Sequence, residues 1–379
     1  MRNELRARKD VVYYDQSMIV TILIFILVLA VLVLVHEAGH FFAARKAGIR
    51  VDEFGFGFPP RAVGIKRGET IFSLNWIPLG GFVKIFGEEG EGSDDPTSFI
   101  AKPVWIRVIV IVAGVAMNML LAWLLFSFGH VIGLPTILDE AEDITNVRDV
   151  KIQVVEVAPE SPALAAELAI GDVIVGLDGN AIENIDAIQS YVASHKGAEI
   201  TLRVERGIEQ VDLRMTPRID PPQGQGPLGF AMAQTGIRSL PIHKAIIEGA
   251  KDTAALAWLI LKSLGNLVVQ LVRHGTVADR VSGPLGIVVF TDMVVQRGFT
   301  YLLQFAGIIS VSLGVLNLLP IPALDGGRLL FLAIEKIKGR RVSPVLEAKI
   351  HGIAFILLLM LMLLITIKWD LPLFVEHFF

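Results

Sequence analysis

The chain has 379 residues, of which 53% are hydrophobic and 19% charged. This composition is too apolar for an ordinary water-soluble enzyme and is typical of a membrane protein with several spans and one soluble insert. The net charge of −4 excludes a strongly basic nucleic-acid-binding protein, so we expect no nucleic-acid partner. Because the chain has no cysteine, a metal site must use histidine and carboxylate ligands.

The first predicted element is a membrane-spanning helix over residues 18–43, which follows a polar tail at residues 1–17. Its apolar run, Met18–Val35, is long enough to cross the hydrocarbon core of a bilayer. A cleaved signal peptide is the alternative interpretation. The run is long and no small-residue cleavage site follows it, so we expect a retained span.

A metal-binding pattern closes this span, where the chain reads His36-Glu37-Ala38-Gly39-His40. Histidines four residues apart project from one face of a helix, about 6 Å apart along its axis, and can hold one Zn²⁺. Glu37 lies beside them and is placed to take a proton from the attacking water. A solvated His-Glu pair is the alternative reading, but uncompensated polar groups on an apolar span are costly.

Residues 44–104 are predicted to be a cytoplasmic loop, because basic residues cluster near its ends and cytoplasmic loops carry an excess of Lys and Arg. Four basic residues in the N-terminal tail favour the opposite orientation, but the loop holds more of them. The basic residues of the loop include Arg45, Lys46, Arg50, Arg61, Lys66, Arg67 and Lys84.

Inside this loop, the side-chain pattern of residues 70–86 alternates as in a strand on both sides of the turn Pro78-Leu79-Gly80-Gly81. This pattern predicts a β-hairpin. The hairpin is unusually apolar. It is either a small sheet that covers the loop or a membrane-associated hairpin whose free edge pairs with an extended substrate. For the second case we name Ile71, Leu74 and Phe82 as candidate substrate contacts.

The second predicted span covers residues 105–133. Gly114 and Asn118 lie one turn apart on one face, where the glycine permits close helix approach and the amide is a lone polar group at membrane depth. From spacing alone, a hydrogen bond between helices and a contact with substrate are equally good interpretations.

A soluble domain is predicted at residues 150–232. The segment Ala158–Ala163, followed by the turn Gly171–Gly179, resembles a bacterial PDZ domain, and Pro227–Phe230 is similar to the carboxylate-binding loop of that family in a permuted order. The resemblance implies one α+β domain in the periplasm that can bind a peptide. Its strands are predicted at Ile152–Val157, Ile200–Arg206 and Gln210–Met215, with helices near residues 163–168 and 185–195.

The segment at residues 242–275 is predicted to be an amphipathic helix at the membrane interface, since Lys262, Gln270 and several small polar residues interrupt its apolar pattern. A topological argument favours this. If residues at the C-terminal ends of two spans are to meet, those spans must run in the same direction, which requires an odd number of crossings between them.

The third and fourth spans are predicted at residues 301–327 and 350–368. The third ends in Asn317-Leu318-Leu319-Pro320-Ile321-Pro322-Ala323-Leu324-Asp325-Gly326, where two prolines remove backbone donors and break the helix. Irregular backbone at membrane depth is tolerated where it lines a cavity or is buried in protein. A carboxylate there is costly unless it is paired or binds metal, so Asp325 is the candidate third ligand beside His36 and His40.

The two motifs together resemble the site-2 protease family of intramembrane zinc metalloproteases, in the bacterial branch that regulates sigma factor E. The resemblance implies a polytopic α-helical protein of the bacterial inner membrane with four transmembrane helices, a membrane-associated β-hairpin and an inserted PDZ domain, its active site towards the cytoplasm. It implies Zn²⁺ on His36, His40 and Asp325, with Glu37 as the general base. Asn317 is implied as a donor to the substrate carbonyl, and Asn118 as a contact of unwound substrate backbone.

The resemblance also implies substrates that span the lipid bilayer once, such as anti-sigma factors and remnant signal peptides. Two other functions stay open at this point. One is a membrane scaffold that presents a PDZ domain and has an inert metal site, although the intact Glu37 argues against it. The other is a transporter, although the chain shows no evident internal repeat.

Overall fold

The computed structural model of the chain describes residues 2–138, 147–182, 184–207, 209–274 and 283–378. The chain divides into two compact units. The inserted unit is Gly129–Lys244, and the helical unit is formed by Met1–Phe128 together with Ala245–Phe379.

Helices dominate the helical unit and strands the inserted unit. In chain order the elements are α1 (Arg2–Lys46), β1 (Val51–Arg67), β2 (Thr70–Ile85), α2 (Val104–Ile132), β3 (Leu134–Ile137), β4 (Val147–Val157), α3 (Pro162–Ala165), β5 (Val173–Leu177), β6 (Asn180–Ala181), α4 (Ile185–Ser194), β7 (Ile200–Arg206), β8 (Glu209–Met215), β9 (Phe230–Arg238), α5 (Ile242–His274), α6 (Pro284–Arg297), α7 (Phe299–Leu318), α8 (Asp325–Lys338), α9 (Pro344–Ile365), a π-helical turn (Thr366–Asp370) and α10 (Leu371–Phe378).

Among the described residues, five helices are long and apolar enough to cross a membrane. Four of them correspond to the predicted spans. The fifth is Ile242–Arg273, the segment that we expect to lie at the interface. Length and composition alone do not separate these two arrangements, so the count of four spans stays a prediction. The candidate spans are Met18–Lys46, Val104–Ile132, Ile242–Arg273, Phe299–Leu318 and Pro344–Phe378.

Small residues bring α1, α2 and α7 together. A methyl group at Gly39 of α1 would overlap the backbone of Ala113 in α2, so the two helices touch backbone to backbone at this point. On α7, Gly307 and Gly314 leave room for Phe126 and Met119 of α2. Close approach at small residues is how helices gain packing contacts in lipid, where no hydrophobic effect drives them together.

The predicted helix break after α7 is present, and the chain is irregular between Leu318 and Asp325. Ala323 has φ +82°, a left-handed conformation that is uncommon for residues other than glycine. A methyl group at Gly326 or Gly327 would overlap the backbone of residues 318–322. The two glycines therefore let this segment fold back onto the first turn of α8.

The sheet in the first loop differs from the predicted hairpin. Residues 53–56 of β1 pair on one side with residues 71–74 and on the other side with residues 81–84. Residues 61–67 form a further strand that pairs with residues 70–75. The predicted strands therefore exist, but they do not pair with each other, because an earlier segment lies between them. Alternation along a sequence indicates a strand and says nothing about its partner.

The inserted unit is a sheet in the order β3-β9-β4-β5-β7-β8, with β6 paired to β5. The three predicted strands are present within β4, β7 and β8, and the two predicted helices correspond to α3 and α4. Inward-facing residues of the strands and of α4 form its core. The most deeply buried are Val154, Ala163, Ile188, Ile200, Leu202 and Val204.

An ion pair closes the loop before β5. Asp172 is 2% exposed and accepts hydrogen bonds from the guanidinium of Arg206, at 2.6 and 2.8 Å. This hydrogen bonding raises the pKa of Arg206 above its usual range.

Candidate active site

Three side chains that are distant in sequence converge in the helical unit. His36 Nε2 lies 3.0 Å from Asp325 Oδ2, and His40 Nε2 lies 3.2 Å from His36 Nε2 and 3.3 Å from the same Asp325 oxygen. Within the described ranges, they are the one group of three His or carboxylate side chains close enough together to hold a metal ion. Both histidines are buried, and Asp325 is partly buried.

The donor set fits zinc. A tetrahedral site with bonds of about 2.0–2.1 Å holds its ligand atoms about 3.3 Å apart, which is close to the three separations found here. Three ligands from protein leave one position open, which is the arrangement of a catalytic zinc rather than a structural one.

The remaining ring nitrogens explain why both Nε2 atoms face the same point. His40 Nδ1 donates to the carbonyl of Val110, at 2.9 Å, so its Nε2 carries a lone pair. The amide of Asn118 lies 3.2 Å from His36 Nδ1, and Asn118 is completely buried. When His36 also presents a lone pair at Nε2, the two imidazoles and the carboxylate repel one another at these distances unless a positive ion lies between them.

Asn118 holds the orientation of the first ligand. Its backbone carbonyl accepts from Ser310 Oγ of α7, at 2.8 Å, and its side chain contacts His36. Among the described residues its Oδ1 has no hydrogen-bond partner. When Nε2 of His36 binds a metal, Nδ1 must carry the proton. The amide then has to present Oδ1 to that proton, which a rotation about its terminal torsion achieves.

Gly114 provides the space for the two imidazoles. A methyl group there would overlap His40 Nε2 and press on the His36 ring. The structure therefore places Gly114 against the candidate ligands, and its predicted contact with substrate stays a prediction.

Two cavities meet at Glu37. The larger, of about 420 Å³, is lined by Glu37, His40, Phe82, Ala323 and Asp325 among others. The smaller, of about 220 Å³, is lined by His36, Glu37, Asn118, Asn317 and Asp325 with four apolar neighbours. The predicted base and the predicted carbonyl donor thus share one cavity with two of the candidate ligands.

Two of the predicted substrate contacts do not lie on a free strand edge. Ile71 pairs with both Glu53 and Lys66, and Leu74 pairs with both Phe56 and Val63. Their backbone groups already have partners on two sides, so the prediction of a free edge at Ile71 and Leu74 is wrong. Phe82 lies on the strand that pairs with β1 alone among the described residues.

Sequence reasoning missed three features of the site. Gly39 and the carbonyl of Val110 fix how α1 meets α2, and His351 of α9 accepts a hydrogen bond from the Ala323 N–H at 2.9 Å. A backbone carbonyl leaves no mark in a sequence. Gly39 and His351 do leave one, since a glycine between two candidate ligands and a lone histidine in an apolar span both indicate a special environment.

Comparison with known proteins gives the family. The family model described as Peptidase family M50 matches residues 24–361. The zinc metalloprotease RasP of Geobacillus kaustophilus is 28% identical over 91% of this chain and 96% of its own length. The regulator of sigma-W protease RasP of Bacillus subtilis is 29% identical over 92% of this chain and 97% of its own length.

A protein of Clostridium acetobutylicum, whose name also describes a zinc metalloprotease, is 33% identical over 92% of this chain and 96% of its own length. Among solved structures, the PDZ domain of the SdrC-like protein of Listeria monocytogenes covers 22% of this chain and 86% of its own chain. Its sequence identity is 23% and its TM-score is 0.20. Together with its apolar helices, the extent of the family match shows that the chain belongs to peptidase family M50, the site-2 proteases, and is an integral membrane zinc metalloendopeptidase.

Proposed function

We propose that this protease cleaves single-span membrane proteins within their apolar segments. One observation carries the proposal: the candidate ligands and Glu37 lie among apolar helices and face a cavity that is also lined by residues 81–83, a strand with one free edge in the described part of the chain. A peptidase that acts on soluble chains has no need of a site between such helices.

His36, His40 and Asp325 are the residues that would hold the zinc ion. When bound, zinc supplies Lewis-acid polarisation of the scissile carbonyl and makes water acidic enough to be deprotonated near neutral pH. The chain's own contribution is to keep both imidazoles oriented through Val110 and Asn118. Removal of a group that hydrogen-bonds a metal ligand typically lowers metal affinity or activity by about 10–100-fold.

Glu37 is the proton carrier of the proposed reaction. Its carboxylate would take a proton from the attacking water and pass it to the nitrogen of the leaving amine, a role worth about 10²–10⁴ in rate. Asn317 would donate a hydrogen bond from its side-chain amide to the substrate carbonyl oxygen. One donor aimed at a developing oxyanion contributes about 3 kcal/mol. Both side chains line the smaller cavity, which supports their pairing.

The strand at residues 81–85 is the proposed docking edge for the substrate. A helical peptide bond has its carbonyl engaged within the helix, so the substrate must unwind before cleavage. Pairing with a strand edge replaces the lost backbone hydrogen bonds. Gly81 supports this assignment, since a methyl group there would lie 3.4 Å from Cγ of Glu37. Phe82 of the same edge lines the larger cavity and would contact a substrate side chain.

The proposed topology has four spans, formed by α1, α2, α7 and α9. The backbone carbonyl of Ile246, near the start of α5, accepts a hydrogen bond from Trp123 Nε1. Trp123 lies in the part of α2 that follows Asn118, on the side away from residue 104. The backbone N–H of Gly283, just before α6, donates to the carboxylate of Asp370. The helices that follow these two residues, α6 and α10, pack against the beginning of the α1 span, at the end opposite the ligands. The chain thus makes no net crossing between these points, as the four-span proposal requires. Leu256, Ala257, Ile260 and Leu264 of α5 pack against α2 and α7, so α5 lies against these helices. The active site then faces the cytoplasm of a bacterial cell, with the inserted unit as a PDZ domain in the periplasm.

The proposed substrates are single-span proteins of the anti-sigma-factor type, together with remnant signal peptides. The name of the Bacillus subtilis relative, which regulates sigma-W, supports the first class. The PDZ domain is proposed to bind a peptide end. Deletion of Val150–Phe230 is then expected to relax the choice of substrate more than it slows cleavage. The measurement is competition between two substrates, and loss of all activity in a folded variant would contradict it.

The test of the proposed function is zinc-dependent cleavage of a single-span substrate in proteoliposomes, with the cut located by mass spectrometry. Wild type is expected to cut inside the apolar segment. Glu37→Gln, which keeps the shape of the side chain and removes the base, is expected to bind zinc equally well and to cleave about 10²–10⁴-fold more slowly.

Glu347→Gln on α9 is the matched control, because it removes a carboxylate that lines neither of the two cavities that meet at Glu37. We expect Glu347→Gln to keep wild-type cleavage. Cleavage that is confined to water-exposed segments, or equal turnover by wild type and Glu37→Gln, would overturn the proposal.

A further inference from the structure

His351 reaches from α9 to the segment that delivers the third candidate ligand. Its Nδ1 accepts the backbone N–H of Ala323 at 2.9 Å, two residues before Asp325. Its ring lies 5.5 Å, centroid to centroid, from that of Phe331 on α8. His351 also lines the larger of the two cavities that meet at Glu37. One side chain of α9 therefore contacts both the segment before Asp325 and the helix that follows it.

The backbone that His351 holds is strained. Ala323 adopts φ +82°, and a residue other than glycine in such a conformation costs about 1–3 kcal/mol unless its surroundings maintain it. Gly326 and Gly327 at the start of α8 hold the segment by close backbone packing. His351 of α9 accepts a hydrogen bond from the N–H of the strained residue itself.

The strained residue belongs to the site. Ala323 and Leu324 line both cavities that meet at Glu37, and Asp325 follows directly. A change in the φ angle of Ala323 would rotate the peptide planes that lead into Asp325. Because Oδ2 of Asp325 sits 3.0 and 3.3 Å from the two Nε2 atoms, a small rotation is enough to disturb the ligand triangle.

Gly352 and Phe355 of α9 also line the larger cavity, but it is His351 that hydrogen-bonds the segment before Asp325. None of the residues of α9 is buried, and its far end continues into the π-helical turn and α10, which pack against α6. Since α9 has no buried face to hold it here, His351 is one of the few contacts that connect it to the segment carrying Asp325.

We propose that His351 is a positioning residue of this protease: through its hydrogen bond to Ala323 it fixes the strained turn that places Asp325 on the zinc ion. The proposal rests on the proposed role of Asp325 as a ligand. The bond also fixes the tautomer of His351, because an N–H donor needs a lone pair on Nδ1, which leaves the ring proton on Nε2. The role of His351 is that of an acceptor, and an acceptor at the same place should replace it.

Two variants separate the acceptor from the ring. His351→Asn keeps an acceptor, since Oδ1 of asparagine is bonded to Cγ as Nδ1 of histidine is, and it loses the ring contact with Phe331. His351→Phe keeps a ring and loses the acceptor. Zinc affinity is measured for both by competition with a chelator, on the full-length protein in detergent, beside wild type and Asp325→Ala.

We expect His351→Phe to bind zinc about tenfold more weakly than wild type, in the range typical of lost outer partners of metal ligands. His351→Asn is expected to stay close to wild type. The cleavage rate at saturating zinc should follow the same order. Equal zinc affinity of His351→Phe and wild type would overturn the proposal, as would a His351→Asn variant as weak as His351→Phe, because the ring would then be what matters.

A second measurement covers the case in which His351→Phe folds poorly. Ala323→Gly removes the backbone strain that the hydrogen bond opposes, since glycine adopts φ +82° readily. In that background the loss of zinc affinity caused by His351→Phe, or by His351→Leu, should be smaller. An equal loss in both backgrounds would overturn the proposal. If Asp325→Ala leaves zinc affinity unchanged, the proposed function fails instead, so the two failures are distinguishable.

Discussion

Two buried clusters in the helical unit each join histidine to aspartate, and they differ in how their hydrogen-bonding groups are matched. In the candidate active site, the Nε2 atoms of two histidines and Oδ2 of Asp325 lie within 3.0–3.3 Å of one another. In the second cluster, Asp292 of α6 is 4% exposed and is surrounded by donors. Thr21 Oγ1 donates to it at 2.6 Å, Gln296 Nε2 at 2.7 Å and His377 Nε2 at 2.9 Å.

The difference separates a candidate metal site from a structural contact. Three donors around Asp292 satisfy a buried carboxylate without any further ion, and they connect α6 to α1 and α10. At Asp325 the three atoms crowd against one another, and His40, whose Nδ1 donates to Val110, presents a lone pair at Nε2 when neutral. A cation held by all three atoms would stabilise this cluster. The same two residue types thus occur in two arrangements: three atoms that converge on one point at Asp325, and separate donors around both oxygens of Asp292.

The largest expected effect comes from replacing each aspartate by its amide. Asp325→Asn removes a charged ligand and should weaken zinc binding by about 100-fold or more, with loss of cleavage. Asp292→Asn should leave zinc affinity unchanged and lower the melting temperature. Zinc titration and thermal unfolding of both variants check this, and equal zinc affinity at Asp325→Asn would refute the site.

A smaller effect is expected from Gly114→Ala. The added methyl group would overlap His40 Nε2, so the imidazole must move and zinc affinity should fall by about tenfold. Gly265→Ala on α5 is the matched control, because a methyl group there meets nothing within 4 Å and the residue lines neither cavity at Glu37. The measurement is chelator competition, and the prediction fails when the two alanine variants bind zinc equally.

The smallest expected effect is that of Thr21→Val, which removes one donor from Asp292 and keeps the shape of the side chain. Hydrogen bonds between membrane helices contribute about 1 kcal/mol, so the free energy of unfolding should fall by roughly that amount. Denaturation in mixed detergent measures it. Zinc binding and cleavage should match wild type, and a loss of zinc would show that the two clusters are coupled.

The first loop shows where prediction from the sequence stopped. The alternation of residues 70–86 predicted strands, and strands are present. Their partner, residues 53–56, lies in a stretch with Gly55, Gly57 and Pro59 that gave no strand pattern. Which strand edge stays free depends on this partner. The proposed docking edge is accordingly residues 81–85 and not the strand with Ile71 and Leu74.

The sequence by itself determined the chemistry of the candidate site. Two histidines at helical spacing on an apolar span, and an aspartate after a proline-broken one, each carry a polar group too costly for lipid to be accidental. Local rules of helix spacing and burial were enough for this, because each motif lies within a few residues. The sequence also predicted the helix break and the main strands of the inserted unit.

Only the tertiary structure decided how these motifs are held. His36 and Asp325 are 289 residues apart, and the contacts of Val110, Asn118 and His351 also join segments distant in sequence. Such contacts depend on which faces of the helices meet, and small residues such as Gly39 set that through close packing. No local pattern encodes a backbone carbonyl as the partner of a histidine, so that part of the site required the fold.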